Sequence, residues 1–226
     1  MTSRPQIKLS PTEVHLWLQP LNSPPDETRR YFELLAPDER ARAARFHFDI
    51  HRNRFVAARG RLREILADYA GTSAARIVFT YREKGKPDLA EKSDLKFNLA
   101  HSGDVAVYAI AHGIEIGVDV EEIRCEVARE QIPERFFCPN EVQSIRCLPE
   151  DRQAFGFFQC WTRKEAYVKA LAEGLSIPLN SFDVSFEHVN GCTLRSFDIA
   201  PNYIGAVAVQ GGDWAITRMD QAIILR

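Results

Sequence analysis

Residues 105–122 read VAVYAIAHGIEIGVDVEE, and the fold turns on them. Two β-rich runs, VAVYAIA (105–111) and IEIGVDVEE (114–122), stand on either side of a His-Gly turn signal. A third run, DLKFNLA (94–100), comes just before. Further upstream, Asp49 to Ala70 carries a helical stripe of Phe55, Ala58, Leu62, Ile65, Leu66 and Tyr69, and Gly71 suits its C-terminal cap. That helix leads to ARIVFTY (75–81), read as a strand, and then to VAVYAIA. Downstream, a helix from about Asp151 to Ala172, closed by Gly174, leads to strands at 182–187 and 203–209. A last strand is expected at 213–218. Helix, strand, strand therefore occurs twice, with the join near 112–117. The spacing predicts an α/β (α+β) chain of two similar halves, 1–115 and 116–226, with a cleft between them as the default binding site. The remaining elements are a strand at VHLWL (14–18), helical stretches at 26–46, 126–136 and 139–147, and a loop at GKP (85–87).

Composition narrows the function classes. Hydrophobic residues at 45% and charged residues at 27% match a soluble globular protein of 226 residues. A net charge of -2 gives no global field toward nucleic acid, so a basic site has to be local. No apolar run approaches the roughly 20 residues that span a bilayer. The N-terminal stretch MTSRPQIKLSPTEVHLWLQP lacks a signal-peptide core. Cys125, Cys138, Cys147, Cys160 and Cys192 are odd in number and without C-x-x-C spacing, so free thiols in a reducing cytoplasm are expected.

Four clusters hold chemistry. In GVDVEE (117–122), Asp119 and Glu121 share one face of a strand, and two carboxylates there repel unless a cation joins them. Oxygen ligands suit a hard cation such as Mg²⁺. A solvated polar row is the plain alternative. In CWTRKEAYVKA (160–170), Glu165 and Lys169 lie four apart on a helix, with Lys164 beside them. A surface Glu–Lys pair is the plain alternative, weakened by the surrounding Trp161, Tyr167, Phe155, Phe157 and Phe158. In FNLAHSGD (97–104), His101 and Ser102 stand at a strand end, fit either for a phosphate or for a turn backbone. GKP places Lys86 and Pro87 on a tight loop. P-loop, dinucleotide-fold and zincin motifs are absent.

Taken in order, GKP, FN-x-x-HS, G-x-D-x-E and W-x-x-K-E-A-x-x-K-A resemble the 4'-phosphopantetheinyl transferases, and closely their monomeric surfactin-synthetase type. F-x-x-x-E at Phe137–Glu141 and GLSIPL at 174–179 also look like that family. The resemblance implies halves related by a pseudo-twofold axis, with nucleotide contacts on 1–115 and the metal site and carrier docking on 116–226. It implies Mg²⁺, with Mn²⁺ as a substitute, held by Asp119, Glu121 and Glu165. It implies coenzyme A as co-substrate, contacted by Arg42, Arg54, Lys86, Pro87, His101, Ser102, Lys164 and Lys169. The phosphopantetheine arm would pass to a serine of an apo acyl or peptidyl carrier protein, releasing 3',5'-ADP, with Glu165 and Lys169 catalytic. Ile132, Phe136 and Phe137 are candidate carrier contacts. No nucleic acid or membrane partner and a monomeric state are expected. Ala100 and Glu39 depart from the family pattern, each leaving a coenzyme contact open. A metal-dependent phosphohydrolase and a non-catalytic carrier-binding module are the competing readings.

Overall fold

The computed structural model describes residues 6–91, 93–125, 132–172, 177–199, 202–212, 214–220 and 223–225. Their elements run in chain order. β1 is Glu13–Pro20, α1 Pro25–Leu34, α2 Pro37–Ala43 and α3 Asp49–Ala70. β2 is Phe79–Tyr81, β3 Pro87–Leu89, β4 Leu95–Ser102, β5 Val105–His112 and β6 Ile116–Glu122. α4 is Ile132–Phe136, α5 Pro139–Arg146 and α6 Glu150–Leu171. β7 is His188–Val189, β8 Cys192–Ile199, β9 Tyr203–Gln210, β10 Ala215–Arg218 and β11 Ile223–Leu225. No helix among the described residues is long and apolar enough to cross a membrane.

Two sheets organise the chain. One has the order β10-β1-β5-β4, the other β11-β8-β9-β6. β1 runs antiparallel to β5, and β6 antiparallel to β9; β4–β5 and β8–β9 are the matching antiparallel pairs. α3 and α6, each 22 residues long, cover the outer faces. Strand alternation explains the layering. Ala106, Tyr108 and Ile110 of β5 pack with α3, while Val107, Ala109 and Ala111 turn inward. On β9, Ile204, Ala206 and Ala208 pack with α6, while Val207 and Val209 turn inward. The inward residues join Val14, Leu16, Ile116, Val118 and Val120 in a third core between the sheets. The result is helix, sheet, sheet, helix.

The repeated order is therefore present, with different strands in it. Residues 182–187 form no strand; Val184 and Phe186 give their carbonyls to the Arg163 guanidinium instead. β8 takes the place assigned to them. Residues 74–76 make a 3-10 turn, which shortens the expected 75–81 strand to β2. The expected 26–46 helix breaks before Pro37, whose ring fits a first helical turn but not a helix interior. Gly71 caps α3 at a φ of 64°. α6 is capped by Ala172, also left-handed, and not by Gly174, which lies outside the described residues. Of the expected 126–136 helix, residues 126–131 also lie outside them.

Candidate active site

Gly117, Asp119 and Glu121 lie on the face of β6 that meets α6. Gly117 makes the approach close: a Cβ there would sit 2.1 Å from the Ala166 carbonyl oxygen and 2.4 Å from the Ala170 nitrogen. α6 thus rests its backbone on β6 and brings Glu165 and Lys169 to Asp119. Lys169 Nζ donates to Asp119 Oδ1 at 2.6 Å and to the Val118 carbonyl at 3.3 Å. Asp119 is only 5% exposed, and its Oδ2 is buried with no hydrogen-bond partner among the described residues. Burial pushes the Asp119 carboxyl up to about 6, Lys169 opposes that, and Glu121 and Glu165 add to it. The Glu165 carboxyl is also raised, first by burial and then by Glu121, against Lys169. Three coupled carboxylates face one ammonium, and an orphaned carboxylate oxygen is buried among them. That donor set suits an added hard cation.

The opposite rim comes from the N-terminal half. Ser102, at the end of β4, donates its hydroxyl to Glu121 Oε2 at 2.6 Å and accepts from the Glu122 amide at 3.2 Å. His101 is exposed beside it. Its pKa lies below the ordinary imidazole value: surrounding protein comes first as the cause, then the charges of Lys169, Arg42 and Arg54, with Glu121 pulling the other way. His101, Arg42 and Arg54 thus share one neighbourhood with the acids. Arg42 is exposed on α2, its guanidinium over the Phe55 ring at 5.1 Å. Arg54 on α3 donates twice to Asp104 Oδ1, at 2.9 and 2.6 Å. Sequence reasoning passed over Asp104, although it ends the quoted FNLAHSGD run.

Several expected contacts are corrected. Lys164 does not reach the cleft. Its side chain is fully buried, and Nζ meets Glu141 Oε2 at 2.8 Å and the Leu179 and Phe182 carbonyls at 2.8 and 2.6 Å. Helical geometry explains this: Lys164 lies about 100° around the axis from Glu165. Lys86 Nζ is likewise committed, to the Ile116 and Lys169 carbonyls at 2.8 and 2.9 Å and to Glu115 at 3.2 Å. It ties the last turn of α6 to the start of β6. Pro87 begins β3, paired with Tyr81. Glu39 is buried between Arg59 and Arg63, at 2.7 and 2.6 Å, where it serves α3 and not a ligand. Ala100 lies in the core between the sheets. Phe137 is 3% exposed and stacks on Phe157, so it offers no docking surface. Phe136 is half-buried against Trp161, and the Ile132 side chain lies outside the described residues. Cys138, Glu141 and Asp183 bring ligand atoms within 4.8 Å of one another. Glu141 there is already taken by Lys164 and by the Cys138 and Val184 amides. The five cysteines are free.

With this geometry in hand, comparison with known proteins is informative. Residues 115–218 match the 4'-phosphopantetheinyl transferase superfamily, and residues 22–112 match the N-terminal region of 4'-phosphopantetheinyl transferase. The chain is 37% identical to 4'-phosphopantetheinyl transferase HetI of Nostoc sp., over 93% of each chain. It is 32% identical to 4'-phosphopantetheinyl transferase psf-1 of Bacillus pumilus, over 85% of this chain and 87% of the relative. It is 27% identical to 4'-phosphopantetheinyl transferase Sfp of Bacillus subtilis, over 84% of this chain and 88% of the relative. Similarity of this extent, over both halves that build the acidic cleft, makes the chain a member of the 4'-phosphopantetheinyl transferase superfamily.

Proposed function

We propose that this transferase moves the 4'-phosphopantetheine arm of coenzyme A to a serine of an apo acyl or peptidyl carrier protein, with Mg²⁺ required and 3',5'-ADP released. The observation that carries the reading is the buried Asp119 Oδ2, without a hydrogen-bond partner among the described residues, on a carboxylate whose pKa is raised by burial and by the nearby charges of Glu121 and Glu165, against Lys169. Asp119, Glu121 and Glu165 would hold Mg²⁺, or Mn²⁺ in its place. When bound, the ion supplies positive charge against a pyrophosphate. Lys169 adds a second positive charge at the same spot. Arg42, Arg54 and His101 form a basic rim assigned to the nucleotide phosphates, and Ser102 holds Glu121 toward the cleft. Glu165, its pKa raised by burial, accepts the proton of the attacking serine. The serine oxygen bonds to the β-phosphorus, the phosphorus bond to the bridging pyrophosphate oxygen breaks, and the nucleotide leaves with that oxygen.

We assign nucleotide binding to residues 1–115 and metal and carrier docking to 116–226, on a monomeric cytoplasmic protein. The free cysteines agree with a reducing compartment. The test is incubation with coenzyme A, Mg²⁺ and several apo-carriers, followed by intact-mass measurement. A mass gain of one phosphopantetheine arm on the carrier serine is expected. Hydrolysis of coenzyme A with no carrier modified would favour a phosphohydrolase instead.

A further inference from the structure

The two halves differ at one edge. The outer edge of β1 is covered by β10, in a parallel ladder from Glu13–Ala215 to Leu16–Arg218. β6 holds the equivalent place in the second sheet, and β9 is its only ladder partner among the described strands. Its other edge therefore presents backbone groups that a buried site cannot leave unpaired. Side chains take the place of a strand. Lys86 takes the Ile116 carbonyl, Lys169 the Val118 carbonyl, and Ser102 the Glu122 amide. Asn98, 5% exposed on β4, accepts the Val118 amide on its Oδ1 at 2.8 Å. These residues come from GKP, FN-x-x-HS and the W-x-x-K-E helix. Of them, Asn98 has had no role so far.

We propose that Asn98 is a positioning residue for the metal-binding carboxylates, holding β6 against β4 at the residue before Asp119. The strand that carries Asp119 and Glu121 is an edge strand, and an edge strand is free to shift or twist. Asn98 Oδ1 joins it to the N-terminal half between the Lys86 and Ser102 attachments. With all three in place, β6 is held at 116, 118 and 122, and the acid face stays turned to Glu165 and Lys169. The inference rests on the reading that Asp119, Glu121 and Glu165 hold the cation.

The experiment measures Mn²⁺ binding to the full chain by electron paramagnetic resonance, without substrates. Wild type, Asp119→Asn, Asn98→Leu and Tyr108→Phe are compared. Asn98→Leu keeps the branched outline of the side chain and removes the acceptor. Tyr108→Phe removes another buried hydrogen bond, to the Ala58 carbonyl on α3, and serves as a control for general loosening. The expected result is Mn²⁺ binding about ten- to a hundredfold weaker in Asn98→Leu, as for other supports of metal ligands, and unchanged in Tyr108→Phe. Asn98→Ser, too short to reach Val118, replaces Asn98→Leu if that variant does not fold, with the same expectation. A folded Asn98 variant that binds Mn²⁺ like wild type overturns the positioning role. An equal loss in Tyr108→Phe overturns it too, because stability alone would then explain the effect. Wild type that takes up no Mn²⁺, or Asp119→Asn that binds as wild type, overturns the metal reading itself and the inference with it.

Discussion

Asp119 and Lys164 are both buried charges, and they differ in their partners. Lys164 has three oxygens around its ammonium; Asp119 has Lys169 on one oxygen and nothing on the other among the described residues. Removing Lys164 leaves Glu141 buried without its counter-charge, which costs roughly 3–5 kcal/mol. Lys164→Ala should therefore lower the denaturation midpoint strongly, while the folded fraction keeps its Michaelis constant for coenzyme A. Urea melts and kinetics on the same samples check this; a raised constant with an unchanged melt would return Lys164 to the ligand set. Asp119 behaves in the opposite way. Its carboxyl goes from the ordinary 3.8 to about 6 on folding, so between about pH 4 and 6 the native state holds a proton the unfolded state has lost. Stability falls as pH rises through that window, by about 3 kcal/mol at the usual conversion of pKa to free energy. Asp119→Asn should flatten the pH dependence of unfolding of the metal-free protein over that range, and an identical slope in the variant would refute the shift. The i, i+2 acids and the i, i+4 pair were legible because strand and helix periods fix which side chains share a face. The fate of Lys164 was hidden because a motif records spacing, while burial depends on what the far side of the helix meets.

At the scale of elements, the contact of α6 with β6 depends on the missing side chain at Gly117. A methyl group there would overlap the Ala166 carbonyl, and relief requires the helix to lift. Overpacking of this kind costs roughly 1–3 kcal/mol. Gly117→Ala should lower the melting temperature and reduce turnover more than the melt explains, because lifting α6 draws Lys169 and Glu165 from Asp119. Turnover that tracks only the folded fraction would count against this coupling. The strand pattern was only partly readable. β8 (CTLRSFDI) was missed because its alternation changes phase at Ser196–Phe197 and both its faces are buried, Leu194 toward α6 and Phe197 between the sheets. FDVSFE alternates well and still forms no ladder, because the Arg163 guanidinium takes the carbonyls a neighbouring strand would have used.

For the whole molecule, two sheets share a core, one mixed through the parallel β10–β1 pair, and the site opens where β4 and β6 meet without a ladder. The order of elements foretold the duplication; the pairing of β10 with β1 was not legible, because a four-residue strand near the chain end carries no sign of its partner. The family resemblance implies an acidic carrier protein; docking of such a partner would be steered by charge, which acts mainly on association and fades with salt. Raising salt to physiological levels should raise the Michaelis constant for apo-carrier more than that for a short acceptor peptide, and equal responses would place the charge dependence on coenzyme A. The central claim is that Asp119, with Glu121 and Glu165, holds the cation on which transfer depends. The most direct measurement is intact-mass kinetics of apo-carrier modification by wild type and Asp119→Ala, at saturating coenzyme A and with Mg²⁺ as the only divalent ion. The account predicts a complete arm transfer by wild type, abolished by a chelator and absent in a folded Asp119→Ala. Near-normal turnover by Asp119→Ala would contradict it.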